Sequence, residues 1–264
     1  MTRTLKRAFA ALLIVLTLIA ASACGSGKSN NTGAGPGKKI VVATSNDAPF
    51  SYKDPSGQLT GLDGEMMQWI AKKNGWTIEI VVTDFATLIQ TVKTKKADIV
   101  VDAMYITDER KKQVSFTDEW YTEGEGIVVP ADSTIKSRED VKGKVIGAQT
   151  GTFYAKQAAN WGGKEIKYFD SQAALLKAVE NRQVEVIVTD SIVAAYSLKQ
   201  NPNDKIKLVS PYTPEEIGHI GAAVRPEDGE LLQQMNDGLK ALKASPDYAT
   251  IMKKYGVPET NYAK

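Results

Sequence analysis

"LIQTVKTKKADIVV" (residues 88–101) and "LLKAVENRQVEVIV" (residues 175–188) lie over one another at a shift of 87 positions without a gap. Leu88 meets Leu175, Ile89 meets Leu176 and Val92 meets Val179, so the apolar positions of a helix repeat. Asp98 meets Glu185, and three aliphatic residues then meet three aliphatic residues. Each copy reads as a helix feeding a buried parallel strand. Shared α/β grammar accounts for part of this match; the rest indicates two similar α/β lobes. In open α/β sheets, ligands bind outside the carboxyl ends of the strands. Asp102 follows the first repeated strand directly, and Asp190 lies one residue further past the second. Acids at matching strand ends of two lobes predict a cleft between them.

The flanking sequence continues the alternation. "KIVVAT" (39–44), "WTIEIVV" (76–82), "ADIVV" (97–101), "KVIGAQ" (144–149), "EIKYF" (165–169) and "VEVIV" (184–188) read as strands. Residues 50–62 read as a hairpin turning at "DPSG". Leu62, Met66, Trp69 and Ile70 have helical spacing over 62–74, with Trp69 and the methionines assigned to the core. Helices are also predicted at 86–96, after Thr152 and at 171–182. Strands alternating with helices predict parallel sheets.

The N-terminus sets the compartment. Arg3, Lys6 and Arg7 precede the apolar run Ala8–Ala20, which is too short for a comfortable span and fits a signal-peptide core. "AASAC" then places small residues before the single cysteine, Cys24. The reading is a signal peptide at 1–23, lipidation of Cys24, and a flexible tether over 24–37; ordinary secretory cleavage leaving a thiol is the alternative. Of 33 basic and 31 acidic residues, three of the basic ones lie in the leader, so the remainder is net −1 and carries no sign of a nucleic-acid binder. With no further cysteine and one histidine, His219, neither disulfides nor a thiolate or histidine-rich metal centre is expected, and a Ser-His-Asp triad is disfavoured. His219 reads as structural, and no cofactor is expected.

"PFSYKDPSGQLTGLDGEMMQWIAKKNGW", "ADIVVDAMYITDERKKQVSFTDEWY", "VKGKVIGAQTGT" and "VEVIVTDS" follow in the order seen in the family 3 extracellular solute-binding proteins. From about Lys38 to Lys264 the chain resembles that family, the receptors of ABC importers for polar amino acids and related zwitterions. The resemblance implies a two-lobed α/β fold of the periplasmic-binding-protein type II class. Lobe one would comprise 38–123 and 222–264, and lobe two 124–221. Two hinge strands would cross near "GEGIVV" (124–129) and "IGHIGAAV" (217–224).

The same resemblance assigns the site. Arg110, in "ITDER", would grip the ligand's α-carboxylate with its planar fork of donors. Thr107 reads as a helix N-cap with Asp108 and Glu109 in the first turn, where a cation opposes the helix dipole. On position alone, a surface arginine paired with Asp108 or Asp118 is the simpler reading. Thr152 would contact the same carboxylate from lobe two, or serve as a plain N-cap, or both. Asp190 would bind the ligand's ammonium, or cap a helix. Phe50 and Phe85 would wall the pocket, or belong to the core. Many relatives carry an aromatic where Asp47 stands, and small hydroxyl residues where Asp102 and Tyr105 stand. With Ala103 these complete the expected contacts. Extra acids favour a cationic ligand end over glutamine or glutamate, unless Asp47 and Asp102 merely cap turns in solvent; an ectoine-like zwitterion is the next candidate.

The expected protein is a non-catalytic, monomeric, lipid-anchored receptor on the extracytoplasmic face. It closes on its ligand and delivers it to an ABC permease and its ATPase. The alternatives are a cyclic-acid dehydratase on the same fold and a sensory lipoprotein presenting its ligand to a receptor kinase.

Overall fold

The computed structural model describes residues 37–263, so the leader, Cys24 and most of the predicted tether lie outside the described residues. The chain opens with β1 (Lys39–Thr44), the hairpin β2 (Tyr52–Lys53) and β3 (Leu59–Thr60), helix α1 (Leu62–Asn74) and β4 (Thr77–Val82). The hairpin turns where "DPSG" predicts, with the Gly57 N–H donating to the Asp54 carbonyl at 2.9 Å. Helix α1 buries Leu62, Met66, Met67 and Ile70 and stops at Gly75, whose φ of 68° is the left-handed conformation glycine adopts without strain. Trp69 stays half-buried because its indole N–H reaches Asp247 at 2.8 Å.

Next come α2 (Leu88–Lys93), β5 (Ile99–Val100), the single turn α3 (Asp108–Lys111), β6 (Ser115–Phe116) and the long strand β7 (Tyr121–Pro130). The helix predicted over 86–96 is shorter, with a 3-10 turn at Phe85–Thr87 before it. The middle of the chain supplies β8 (Val145–Gln149), α4 (Phe153–Asn160), β9 (Glu165–Phe169), α5 (Gln172–Glu180), β10 (Val186–Asp190), α6 (Ser191–Gln200) and β11 (Ile206–Leu208). It closes with β12 (Ile217–Ile220), β13 (Ala223–Val224), α7 (Gly229–Lys243) and α8 (Pro246–Lys254).

Besides the β2–β3 hairpin, two larger sheets form, ordered β4-β1-β5-β13-β6 and β11-β7-β10-β8-β9. They are mixed rather than purely parallel, which amends the reading from alternation. The β1–β4, β1–β5, β8–β9 and β8–β10 pairs are parallel, but β13 runs antiparallel to β5 and β6, and β7 antiparallel to β10. The strands of the repeat arrive through helical crossovers and must be parallel; β7 and β13 arrive directly from the connecting ribbon and need not be. That ribbon is β7 and β12, paired from Ile217 against Gly124 to Ile220 against Tyr121. Beyond it β7 enters the second sheet, pairing Glu125–Val128 with β10, while the chain after β12 returns to the first sheet. Two lobes joined by two strands result.

The repeat survives as geometry. Lys95 and Arg182, also 87 apart, both adopt positive φ (60° and 57°) at the end of their helices. The N–H of Asp98 donates to the Val41 carbonyl at 2.8 Å and its carboxylate accepts from the Val41 N–H at 2.8 Å. Glu185 does the same with Val145, both distances being 2.9 Å. Each acid stitches its own strand to the neighbouring one at the edge away from the cleft.

Gly218 on β12 shows how tightly the ribbon is packed. A Cβ there would lie 1.6 Å from a carbon of the Tyr105 ring. Gly218→Ala is expected to displace that ring and destabilise the protein by about 1–3 kcal/mol, the usual cost of overpacking. A melting temperature equal to that of the parent protein would show that Tyr105 has room to move.

Candidate functional site

The carboxyl ends of both sheets converge on one cleft, whose empty space including the part open to solvent is about 360 Å3. The first sheet contributes Ser45, Asp47 and Phe50 after β1, and Asp102, Ala103, Tyr105 and Arg110 after β5, with Phe85 preceding α2. The second contributes Gln149, Thr152, Phe153 and Tyr154 after β8, Gln172 at the start of α5, and Asp190 closing β10. All nine residues singled out from the sequence therefore line one cavity.

Arg110 is the lone cation of this lining. The Thr107 hydroxyl caps α3 as anticipated, accepting from the Arg110 N–H at 3.3 Å. The guanidinium turns back off the helix and inward. Its Nη1 donates to the Tyr105 carbonyl at 2.9 Å, its Nη2 to the Gly151 carbonyl at 3.1 Å, and its face lies 5.5 Å from the Phe85 ring centre. Among the described residues no acid lies within 4.0 Å of it: Asp108 pairs with Lys111 and Glu109 with Lys156. Burial alone lowers its pKa to about 10. An inward guanidinium held by carbonyls and lacking a counter-ion is suited to an incoming anion.

Thr152 fulfils its capping role and still faces the cavity. Its hydroxyl donates to the Gln149 carbonyl at 2.7 Å and accepts from the Ala155 N–H at 3.2 Å at the N-terminus of α4. Asp190 does not cap α6, although it stands at the N-cap position. It is buried, accepts from Gln172 Nε2 at 3.2 Å, and has its pKa pushed up to about 6 by burial. Asp102 is also buried rather than in solvent. It accepts from the Thr44 hydroxyl at 3.1 Å, the Ser45 N–H at 2.9 Å and the Ser45 hydroxyl at 2.5 Å. Burial still raises its pKa well above the usual carboxylate range. Asp47 is half-buried; it accepts from Gln149 Nε2 at 2.8 Å and the Ser45 hydroxyl at 3.2 Å, and burial raises its pKa.

Ala103 turns the chain sharply off β5 with a φ of 45°. Asp63, in the first turn of α1, holds that turn by accepting the Ala103 N–H at 2.5 Å and the Tyr121 hydroxyl at 2.7 Å. Phe50 is buried against Tyr121, ring centres 6.5 Å apart, so its core and wall roles coincide. Tyr105 stacks on Phe153 with centres 5.1 Å apart, and its hydroxyl lies 2.6 Å from that of Tyr154. These contacts, with Asp47–Gln149 and Arg110–Gly151, join residues on the two sheets around the cavity, which is the closed arrangement of the lobes. His219 lies on β12 outside this lining, exposed and 2.5 Å from Glu119.

Five lining residues were not anticipated: Ser45, Gln149, Phe153, Tyr154 and Gln172. Ser45 and Gln149 directly follow or close strands, and the strand-end rule that selects Asp102 selects them as well. Phe153, Tyr154 and Gln172 were given no role from the sequence.

A family model described as bacterial extracellular solute-binding proteins, family 3, matches residues 40–258. The chain is 33% identical over 251 residues to the arginine-binding extracellular protein ArtP of Bacillus subtilis (strain 168), covering 92% of this chain and 96% of that one. Among solved structures it is similar to an ancestral arginine-binding protein bound to glutamine, with TM-score 0.77, 35% identity, and coverage of 83% of this chain and 98% of the other. It also resembles the ancestral amino acid-binding protein AncCDT-1, a precursor of cyclohexadienyl dehydratase, with TM-score 0.75, 34% identity, and coverage of 82% and 95%. The fold, the cleft and these likenesses agree: the chain belongs to the bacterial extracellular solute-binding proteins, family 3.

Proposed function

We propose that this protein binds an amino acid with a cationic side chain and delivers it to an ABC permease and its ATPase. The observation that carries the ligand class is the cavity's charge: Arg110 without a counter-ion, opposed by Asp190, Asp47 and Asp102. Arg110, with Thr152, takes the α-carboxylate, and Asp190 the α-ammonium. Asp47 and Asp102 stand ready for a second cation, whose arrival relieves the cost of carboxylates desolvated without a partner. Phe50 and Phe85 flank the ligand's stem. The arginine named for ArtP supports this reading. The lobes divide near residues 123 and 222, and the ribbon of β7 and β12 is the hinge.

A thermal-shift panel tests the ligand class. Saturation at 100 times Kd adds about 2.7 kcal/mol of stability, several degrees at roughly 2–4 °C per kcal/mol. Arginine, lysine and ornithine are expected to raise the midpoint most, and Asp47→Asn with Asp102→Asn to reduce that preference. A larger shift with glutamate or glutamine overturns the ligand class. The dehydratase reading has one observation in its favour, buried acids such as Asp102 whose pKa burial raises, the direction a general acid requires. Turnover of a cyclic acid by the purified protein would establish it.

For location, we infer that Cys24 carries a lipid and that residues 24–37 tether a monomeric receptor to the extracytoplasmic face. Cys24→Ser is expected to move the protein from the membrane to soluble fractions; a parent protein already fully soluble after export overturns the anchor.

A further inference from the structure

Glu123 is the least expected residue of the ribbon. It sits on β7 opposite Gly218, its side chain is fully buried, and among the described residues no lysine or arginine pairs with it. Its Oε1 accepts from the Ile192 N–H at 3.3 Å, whereas Oε2 is buried with no donor in reach. That bond to Ile192, two residues past Asp190, sets the carboxyl beside Asp190, which pairs with Glu125 of the same strand β7 and is the cavity's ammonium partner under the proposed function. Two ionised carboxylates in contact, away from water and any cation, are untenable. One of them must hold a proton. The orphan Oε2 identifies which: as a hydroxyl it needs an acceptor, and the Asp190 carboxylate is that acceptor.

The surroundings point the same way. Asp63 from α1 faces Glu123, and Asp47 faces Asp190 from the loop after β1, each raising the neighbour's pKa. Gln172 from α5 donates to Asp190 at 3.2 Å, and Tyr154 from α4 and Arg110 line the same cavity. Tyr105 donates to the Glu123 carbonyl at 3.0 Å, tying that residue's backbone to the pocket wall. Burial raises Glu123 well above the usual carboxylate range, while the bond it donates lowers Asp190.

We infer that Glu123 is a positioning residue: its protonated carboxyl donates a hydrogen bond to Asp190, keeping Asp190 ionised and aimed at the ligand's ammonium. This rests on the ammonium role of Asp190 in the proposed function. Glutamine keeps a donor at the same place without an ionisable group; leucine keeps the volume and removes the donor.

The test is calorimetry with L-arginine between pH 5 and pH 8 on the parent protein, Glu123→Gln and Glu123→Leu, with melting curves to confirm folding. The parent's affinity is expected to fall below about pH 6, where Asp190 takes up a proton. Glu123→Leu is expected to bind at least about tenfold more weakly at pH 7, the lower end for a hydrogen bond to a charged group. Its loss on acidification should begin at higher pH, because Asp190 has lost a donor. Glu123→Gln should restore affinity to within about threefold of the parent and keep the parent's pH profile. Equal losses in both variants, or none in either, overturn the inference. Infrared spectra of the ligand-free protein at pH 7 supply an arm independent of ligand. The parent-minus-Glu123→Gln difference spectrum is expected to show a protonated-carboxyl component, over the background of other raised acids such as Asp63 and Asp102, and identical spectra overturn the inference. If L-arginine fails to bind the parent at any pH, the ligand class falls, and the spectra still decide the proton on Glu123.

Discussion

Arg110→Met weakens ligand binding by a factor of at least roughly 30. Methionine keeps an unbranched stem over Phe85 but removes every N–H of the guanidinium. The ligand's carboxylate would then face Thr152 in a cavity whose remaining charged residues, Asp47, Asp102 and Asp190, are all acids. Truncating one member of a buried charged pair costs about 2–5 kcal/mol or more, and the factor of 30 is the low end of that range. The variant is expected to fold normally, since the Arg110 side chain bonds only the carbonyls of Tyr105 and Gly151, both beside the cavity. Removing a half-buried cation with no acid beside it also relieves part of a desolvation cost. Calorimetry with the best ligand from the thermal-shift panel measures the effect. Near-parental affinity would move Arg110 out of the binding role.

What the sequence made legible follows the periodicity of the repeat. Leu88 and Leu175, Val92 and Val179, and the acids Asp98 and Glu185 share one register because both copies solve one packing problem, a helix returning to a parallel strand. That register extends to the left-handed turns at Lys95 and Arg182, which the side chains alone do not announce. The hairpin at 50–62 was legible, but the antiparallel insertion of β6 and β13 into the first sheet was not. β6 and β13 are two residues long, and a pair of residues carries no period. The site was readable where a charged residue stood beyond a strand end, as Asp102 and Asp190 do. Gln149 and Gln172 were missed because their roles lie in partners 102 and 23 residues away. Glu123 was hidden by its strand: "YTEGEGIVV" alternates small and polar residues like a solvent-facing edge, yet both Glu123 and Glu125 are fully buried.

Arg225→Met lowers stability by about 3 kcal/mol and leaves ligand affinity intact. Arg225 follows β13 and is buried to 9% exposure. Its Nη1 donates to the carbonyls of Val92, at 3.2 Å, and Ala97, at 2.7 Å, where α2 ends and the chain enters β5. Its Nη2 lies 3.3 Å from Asp98 and 2.5 Å from Asp228. One side chain thus bonds two carbonyls and Asp98, and lies in ion-pair contact with Asp228, at the end of the first lobe opposite the cavity. The second copy of the repeat has no equivalent: Glu185 faces the exposed Lys144 at 3.5 Å, and the Gln183 carbonyl takes the Lys167 ammonium at 3.1 Å. Methionine fills much of the volume but strands both acids and both carbonyls. Breaking a buried pair by removing one partner costs about 3–5 kcal/mol. The lower end applies because Asp98 and Asp228 keep 32% and 25% of their side-chain surface in water. For a chain of this size the melting temperature is expected to fall by roughly 6–12 °C, at about 2–4 °C per kcal/mol. Binding measured well below that midpoint should match the parent, because Asp102 and Arg110 are positioned by the opposite ends of the strands. A fall smaller than about 2 °C would show that water replaces the guanidinium's bonds at little cost, and a matching loss of affinity would show that this end of the sheet reaches the cleft.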